Sequence, residues 1–275
     1  MTASLDELFL KEGFLADLSP YIDGYRKKYA DWFKLVDDVN VIAMRALYRA
    51  EASRGSKQQL VVTVTYSRLL QSLQGCILLA MRGMPADAKT LLRSATESAF
   101  ALSAVVHDPA FVEALVADYQ LHRLTMMNFV LSNAQHRKTV PPEGIDDLTK
   151  AVADILSEYG GQKPKAIIWE QVAAREDMTT EYFTIYRSAS GDSAHATLGS
   201  LMHHIEADSN NDIENLVFEP RDANIPPIAS LAVSLLLRAI HLLCEIFPEP
   251  TVLAELKPLV DRWKTMTDGR DFTLG

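Results

Sequence analysis

The chain has 275 residues, 48% of them hydrophobic and 23% charged, with 12 Gly, 12 Pro and a formal net charge of -9. That balance fills a real core and excludes collagen-like, low-complexity and disordered chains. Its two cysteines, Cys76 and Cys244, stand far apart in apolar runs, so neither a disulfide scaffold nor a four-ligand zinc finger is available, and a reducing, cytoplasmic setting is the expectation. The charge is unevenly spread: 16 Lys and Arg face 14 Asp and Glu in residues 1–140, whereas 11 face 22 in residues 141–275. An RNA partner would therefore have to meet the first half, where Arg26, Lys27, Lys28, Arg45, Arg49, Arg54 and Lys57 are densest; solvated helix faces are the plainer reading of these groups.

The N-terminus begins acidic and lacks the cationic and apolar regions of a signal peptide. Ser19-Pro20 supplies a cap and a first-turn proline, predicting a helix to about Ala50. After the break at Arg54-Gly55-Ser56, a second long helix is predicted over 57–82, ending at Gly83-Met84-Pro85. Pro85 opens a third, to about His107, and Asp108-Pro109 a fourth, to about Asn133. Four long antiparallel helices joined by short turns predict a bundle.

Residues 136–144 read as a loop, 145–159 as an amphipathic helix ending at Gly160-Gly161, and the stretch around Pro164 as another loop. Helices are expected over 180–189 and 193–206, interrupted near Ser190-Gly191-Asp192, where backbone N–H groups would be exposed at a helix start. One short extended candidate, 215–218, precedes an apolar helix at 228–247 and a last helix near 250–266. Residues 60–81 and 228–247 are the most apolar stretches, but each carries internal polar groups, so both read as buried core helices and no membrane partner is expected. The fold class is all-α, a multi-helix bundle of about seven to nine helices with additional C-terminal helices.

The third helix carries the first arrangement with possible chemistry. At 100° per residue, Ala88, Leu91, Leu92, Ala95, Ala99, Leu102 and Val106 share an apolar face, with Ser103 at its edge. The opposite face places Arg93 and Glu97 among small and apolar residues, which suggests a closely packed neighbour and a partly buried i,i+4 pair. The second arrangement gathers Tyr182, Tyr186, Arg187, Ser190, Asp192 and His195 within fourteen positions. Asp192 and His195 alone make no metal site, and no cofactor is implied.

Arg82-Gly83-Met84-Pro85 through Arg93 and Glu97, followed by Trp169, Tyr182, Tyr186, Ser190 and His195, resembles an uncharacterised, mainly bacterial helical family. Its members pair a G-x-P-x-x-A-x-x-L-x-R-x-x-x-E helix with a later W…Y-x-x-x-Y…S…H segment. The resemblance spans roughly residues 60–245 and implies that the Arg93/Glu97 helix meets the Ser190/His195 turn. It brings no reaction with it. One all-helical domain over 1–275 is expected, with a helical extension at 1–55, a family-like core at 57–247 and a C-terminal helix at 249–267.

Such a polar cluster would bind a small anionic ligand or partner through Tyr182, Tyr186, Ser190 and Asp192 beside Arg93 and Glu97. Alternatively, Arg187 and His195 resemble the Arg-x4–6-His motif of HEPN ribonucleases, which cleave RNA without metal, though seven residues intervene here. A third reading is a non-catalytic homo-oligomeric interaction protein whose polar cluster only fixes packing. No Gly-rich phosphate loop, dinucleotide fingerprint, nucleophile elbow or H-E-x-x-H motif occurs.

Overall fold

The computed structural model describes residues 5–193, 201–202, 204–209 and 212–267. A first helix, α1 (Leu5–Glu12), and a 3-10 turn at Gly13–Leu15 precede α2 (Ser19–Lys28), which Pro20 opens as expected. The helix predicted to run on to Ala50 breaks at Tyr29, where φ is -115° and ψ is 36°, and restarts as α3 (Ala30–Arg49). The break turns Lys28 towards Asp222, 2.6 Å away. In α3 the residues Leu35, Val39, Ile42, Ala43 and Ala46 are buried, the three-and-four spacing of a core-facing stripe.

Helix α4 (Lys57–Met81) begins where Ser56 Oγ accepts the Gln59 N–H, and α5 (Pro85–His107) returns antiparallel to it. Gln58 at the start of α4 donates to the carbonyls of Val105 and Val106 at the end of α5. The corner between them needs glycine. Gly83 has φ of +74°, and a Cβ there would lie 2.5 Å from Pro220 Cβ and 2.7 Å from the Arg221 nitrogen. Its carbonyl accepts the Arg221 N–H at 3.0 Å, tying the corner to the strand of chain that enters the last core helix.

That last core helix, α12 (Ile225–Ile246), is flanked on three sides by α3, α4 and α5 and starts with Pro226 and Pro227. By length and composition it could cross a membrane, yet 72% of its apolar window is buried inside the protein. The four-helix packing expected from the sequence is present, but its fourth member is α12 rather than the helix that follows α5. Helix α6 (Phe111–Ser132) leaves α5 and pairs instead with α8 (Pro142–Glu158), with the short α7 (Ala134–Arg137) at the tip.

The second half departs further from the sequence reading. Helix α9 (Trp169–Arg175) occupies part of the stretch read as loop. From α10 (Thr179–Glu181) the chain winds through a π-helical segment, Tyr182–Arg187, into α11 (Ser188–Ser193). Residues 190–192 are thus within helix, and the predicted interruption there is absent, since α11 is packed against α5. The helix expected over 193–206 falls partly outside the described residues. Its end is strand β1 (Ile205–Ala207), paired antiparallel with β2 (Ile213–Leu216) in a register of Ile205 with Leu216 and Glu206 with Asn215. Helix α13 (Pro250–Thr267) closes the chain over α3 and α12.

The uneven charge finds its counterpart in the packing. Bases of the first half meet acids of the second: Lys28 with Asp222, Arg45 with Glu255, and Arg49 with Glu249 at 3.1 Å. Arg26 pairs with Asp37 and Lys57 with Glu113. The basic run that would have to serve an RNA partner is largely neutralised by its own neighbours.

Candidate functional site

Helix α5 is buried around most of its circumference in its C-terminal half, where residues 99–106 are all inaccessible. The face opposite α4 is covered by the π segment and α11, which explains why small residues surround Arg93 and Glu97. Arg93 Nε donates to Ser190 Oγ at 2.8 Å, and Arg93 Nη2 to the Tyr186 hydroxyl at 3.1 Å. The guanidinium also lies over the Tyr186 ring, 4.6 Å from its centroid. Ser190 in turn donates to the Tyr186 carbonyl at 2.5 Å, so one hydroxyl ties the cation to the helical backbone.

Arg93 and Glu97 do not form the direct pair that their spacing suggests: among the described residues, Arg93 donates to the Tyr186 hydroxyl, and Glu97 lies close enough for its carboxyl to feel both the guanidinium and the phenol. Burial pushes the Glu97 carboxyl above the usual range, and Arg93 and the Tyr186 hydroxyl oppose that without cancelling it. Burial likewise raises the Tyr186 phenol, with the Glu97 charge adding to it. A half-buried guanidinium, a phenol and a carboxyl of raised pKa thus stand together on this face of α5.

The π segment sets the aromatic wall of this cluster. Tyr182 stacks on Tyr186 with centroids 5.4 Å apart and planes 22° from parallel, and both lie within 6.3 Å of Phe100 on α5. The Tyr182 hydroxyl reaches Glu170 on α9 at 3.4 Å. Of the residues singled out from sequence, the structure brings together Arg93, Glu97, Tyr182, Tyr186 and Ser190. Arg187 does not join them; it is exposed. His195 and the side chain of Asp192 lie outside the described residues.

Sequence reasoning missed Lys89, which is fully buried one turn before Arg93 on α5. The signal was there, because Lys89, Arg93 and Glu97 fall at i, i+4 and i+8 on one helical stripe. It also missed a second polar cluster at the far end of α5. Glu176 is buried, and its carboxylate holds His107 Nδ1 at 2.7 Å, the Ser103 hydroxyl at 3.0 Å and Arg175 Nε at 2.9 Å. Burial acts to raise the Glu176 carboxyl, but these three donors outweigh it and hold the group below the usual range. An ionised Glu176 only accepts, so Nδ1 of His107 carries the proton and Nε2 faces Glu245, 3.6 Å away. Only Ser103, at the edge of the apolar face, hinted at this cluster. Among the described residues no three His, Cys, Asp or Glu side chains could hold a metal ion.

The model of a family of unknown function (DUF5677) matches residues 59–213, more than half of the chain. The chain belongs to this family. The DUF5677 segment runs from α4 to the start of β2, shorter at its C-terminal end than the stretch expected from resemblance, and it contains both polar clusters' α5 residues together with Glu176, Tyr186 and Ser190. Helices α3 and α12 lie outside it. No curated protein and no solved structure matches the chain.

Proposed function

We propose that the Arg93 cluster of this DUF5677 protein is a cytoplasmic binding site for a small ligand bearing a phosphate or carboxylate group. One observation carries the reading: among the described residues, the partly buried guanidinium of Arg93 is held by two neutral hydroxyls, Ser190 and Tyr186, and by no carboxylate. A guanidinium has five N–H donors in a rigid fork, and the two spent on hydroxyls fix its orientation while leaving others for an oxyanion. The ribonuclease alternative rests on Arg187 and His195, and the exposed position of Arg187 lends it no support, so ligand binding is preferred.

The test is isothermal titration of the full chain with inorganic phosphate, pyrophosphate and malonate, in wild type and Arg93→Gln. At least one anion is expected to bind, with affinity falling about tenfold or more in the variant, the cost of one charge-assisted bidentate contact. Equal binding by both proteins, or none by wild type, overturns the reading. Incubation with single-stranded and hairpin RNA, comparing wild type with His195→Ala, examines the alternative: cleavage abolished by the substitution would put a nuclease in place of a binding protein.

A further inference from the structure

On the side of the bundle away from Arg93, α3 and α4 diverge over α12 and leave a cavity of about 370 Å³. We propose that this cavity binds a small uncharged molecule with an amide-like head on an apolar body. Its size falls within the roughly 300–1,000 Å³ of small-molecule sites, and its composition has their form, an apolar lining with few polar groups. Val233 and Leu236 of α12 make the floor, Val36 of α3 and Leu73 and Ile77 of α4 the walls.

Two side chains on facing walls supply the polar recognition. Gln74 Nε2 donates to Asn40 Oδ1 at 3.0 Å and lies 3.5 Å from Met44 Sδ. This bond orients both amides and spends one donor and one acceptor. Gln74 Oε1 and Asn40 Nδ2 accept and donate nothing else among the described residues, and both residues line the cavity. An acceptor beside a donor is the complement of an amide, whose N–H and C=O can engage both at once.

Charge at the mouth selects against ions. Arg26 and Asp37 both line the opening, but Arg26 Nη2 meets Asp37 Oδ2 at 2.7 Å, the guanidinium lies over the Phe33 ring, and Nη1 points at Met81 Sδ. The pair is mutually compensated, so a carboxylate or an ammonium entering the apolar interior would lose its hydration with no counter-charge to replace it. Of the four helices that line the cavity, α2, α3, α4 and α12, only α4 lies within the DUF5677 match, so the site is a property of this chain's own helices outside it and does not depend on the Arg93 cluster.

The experiment follows amide resonances of the 15N-labelled full chain during titration with cyclohexanecarboxamide, cyclohexanecarboxylate and cyclohexylmethylamine, three probes with one ring and different heads. The carboxamide is expected to shift resonances around Asn40, Gln74 and Val233 and to bind about tenfold more tightly than either ion. The double substitution of Asn40→Leu with Gln74→Met, at half-buried positions, is expected to weaken the carboxamide about tenfold, as loss of two neutral hydrogen bonds implies. Should that variant fail to fold, Gln74→Glu serves, and there the preference is expected to pass to the amine. Shifts absent, shifts centred elsewhere, or equal affinity for the three heads would overturn the proposal.

Discussion

Arg93 and Ser190, 97 positions apart, are joined by a 2.8 Å hydrogen bond that fastens the middle of α5 to α11. The bond makes Ser190 more than a helix residue, since its hydroxyl also returns to the Tyr186 carbonyl in the π segment. The Tyr186 phenol also acts on Glu97, holding its carboxyl lower than burial alone would.

Removing the phenol hydroxyl isolates the carboxyl. Tyr186→Phe keeps the ring under the guanidinium but deletes the hydroxyl that lowers the Glu97 pKa. The Glu97 pKa is therefore expected to rise further in the variant, measured by 13C NMR titration of its carboxyl carbon. An unchanged or lower value would show that the hydroxyl does not stabilise the ionised form.

The raised pKa of Glu97 has a defined consequence for stability. A carboxyl whose folded pKa exceeds its ordinary value of 4.5 favours folding most below that value and loses the contribution as pH rises through the folded pKa. Urea unfolding of wild type and Glu97→Gln from pH 4 to 8 is expected to show wild type losing stability relative to the variant as pH rises. A constant or opposite difference contradicts the burial that drives the shift.

Glu176 has the opposite sign. Held below 4.5 by His107, Ser103 and Arg175, it contributes stability that is complete above pH 4.5 and disappears as pH falls through its depressed pKa. Glu176→Gln is expected to be markedly less stable than wild type at pH 7, with the gap narrowing in acid. Ser103→Ala, which deletes one bond to a buried charge, is expected to cost about 1–2 kcal/mol at pH 7 by chemical denaturation.

Gly83→Ala is expected to destabilise by about 2 kcal/mol or more, because the added methyl meets Pro220 backbone and the residue must hold a positive φ. Thermal unfolding reads the loss. A neutral outcome would mean that the Pro220–Arg221 segment yields without cost.

The long helices were legible because their boundaries are written in local chemistry: Ser19-Pro20, Ser56 and Pro85. The clustering of Arg93 and Glu97 against another helix was legible too, from the small residues around them. What sequence could not convey was long-range choice. Both α6 and α12 are long and apolar, and although α12 carries the stronger apolar stripe, its place between α3, α4 and α5 is set by contacts far apart in sequence. The π segment was hidden for a related reason: Ser190-Gly191-Asp192 has the composition of a break, and tertiary contacts with α5 keep it helical. Glu176 stayed invisible because two of its donors, Ser103 and His107, come from α5, far from it in the chain.

The central place of α12 also bears on how the chain reaches its fold. α4 and α5 can form a hairpin as soon as they are made, since their contacts are local, but the surface they share with α12 waits until residue 246 has been synthesised. Until then apolar side chains such as Leu69, Leu70 and Leu73 face water or a chaperone. The contacts that complete the centre of the molecule are thus ones that join parts of the chain far apart in sequence.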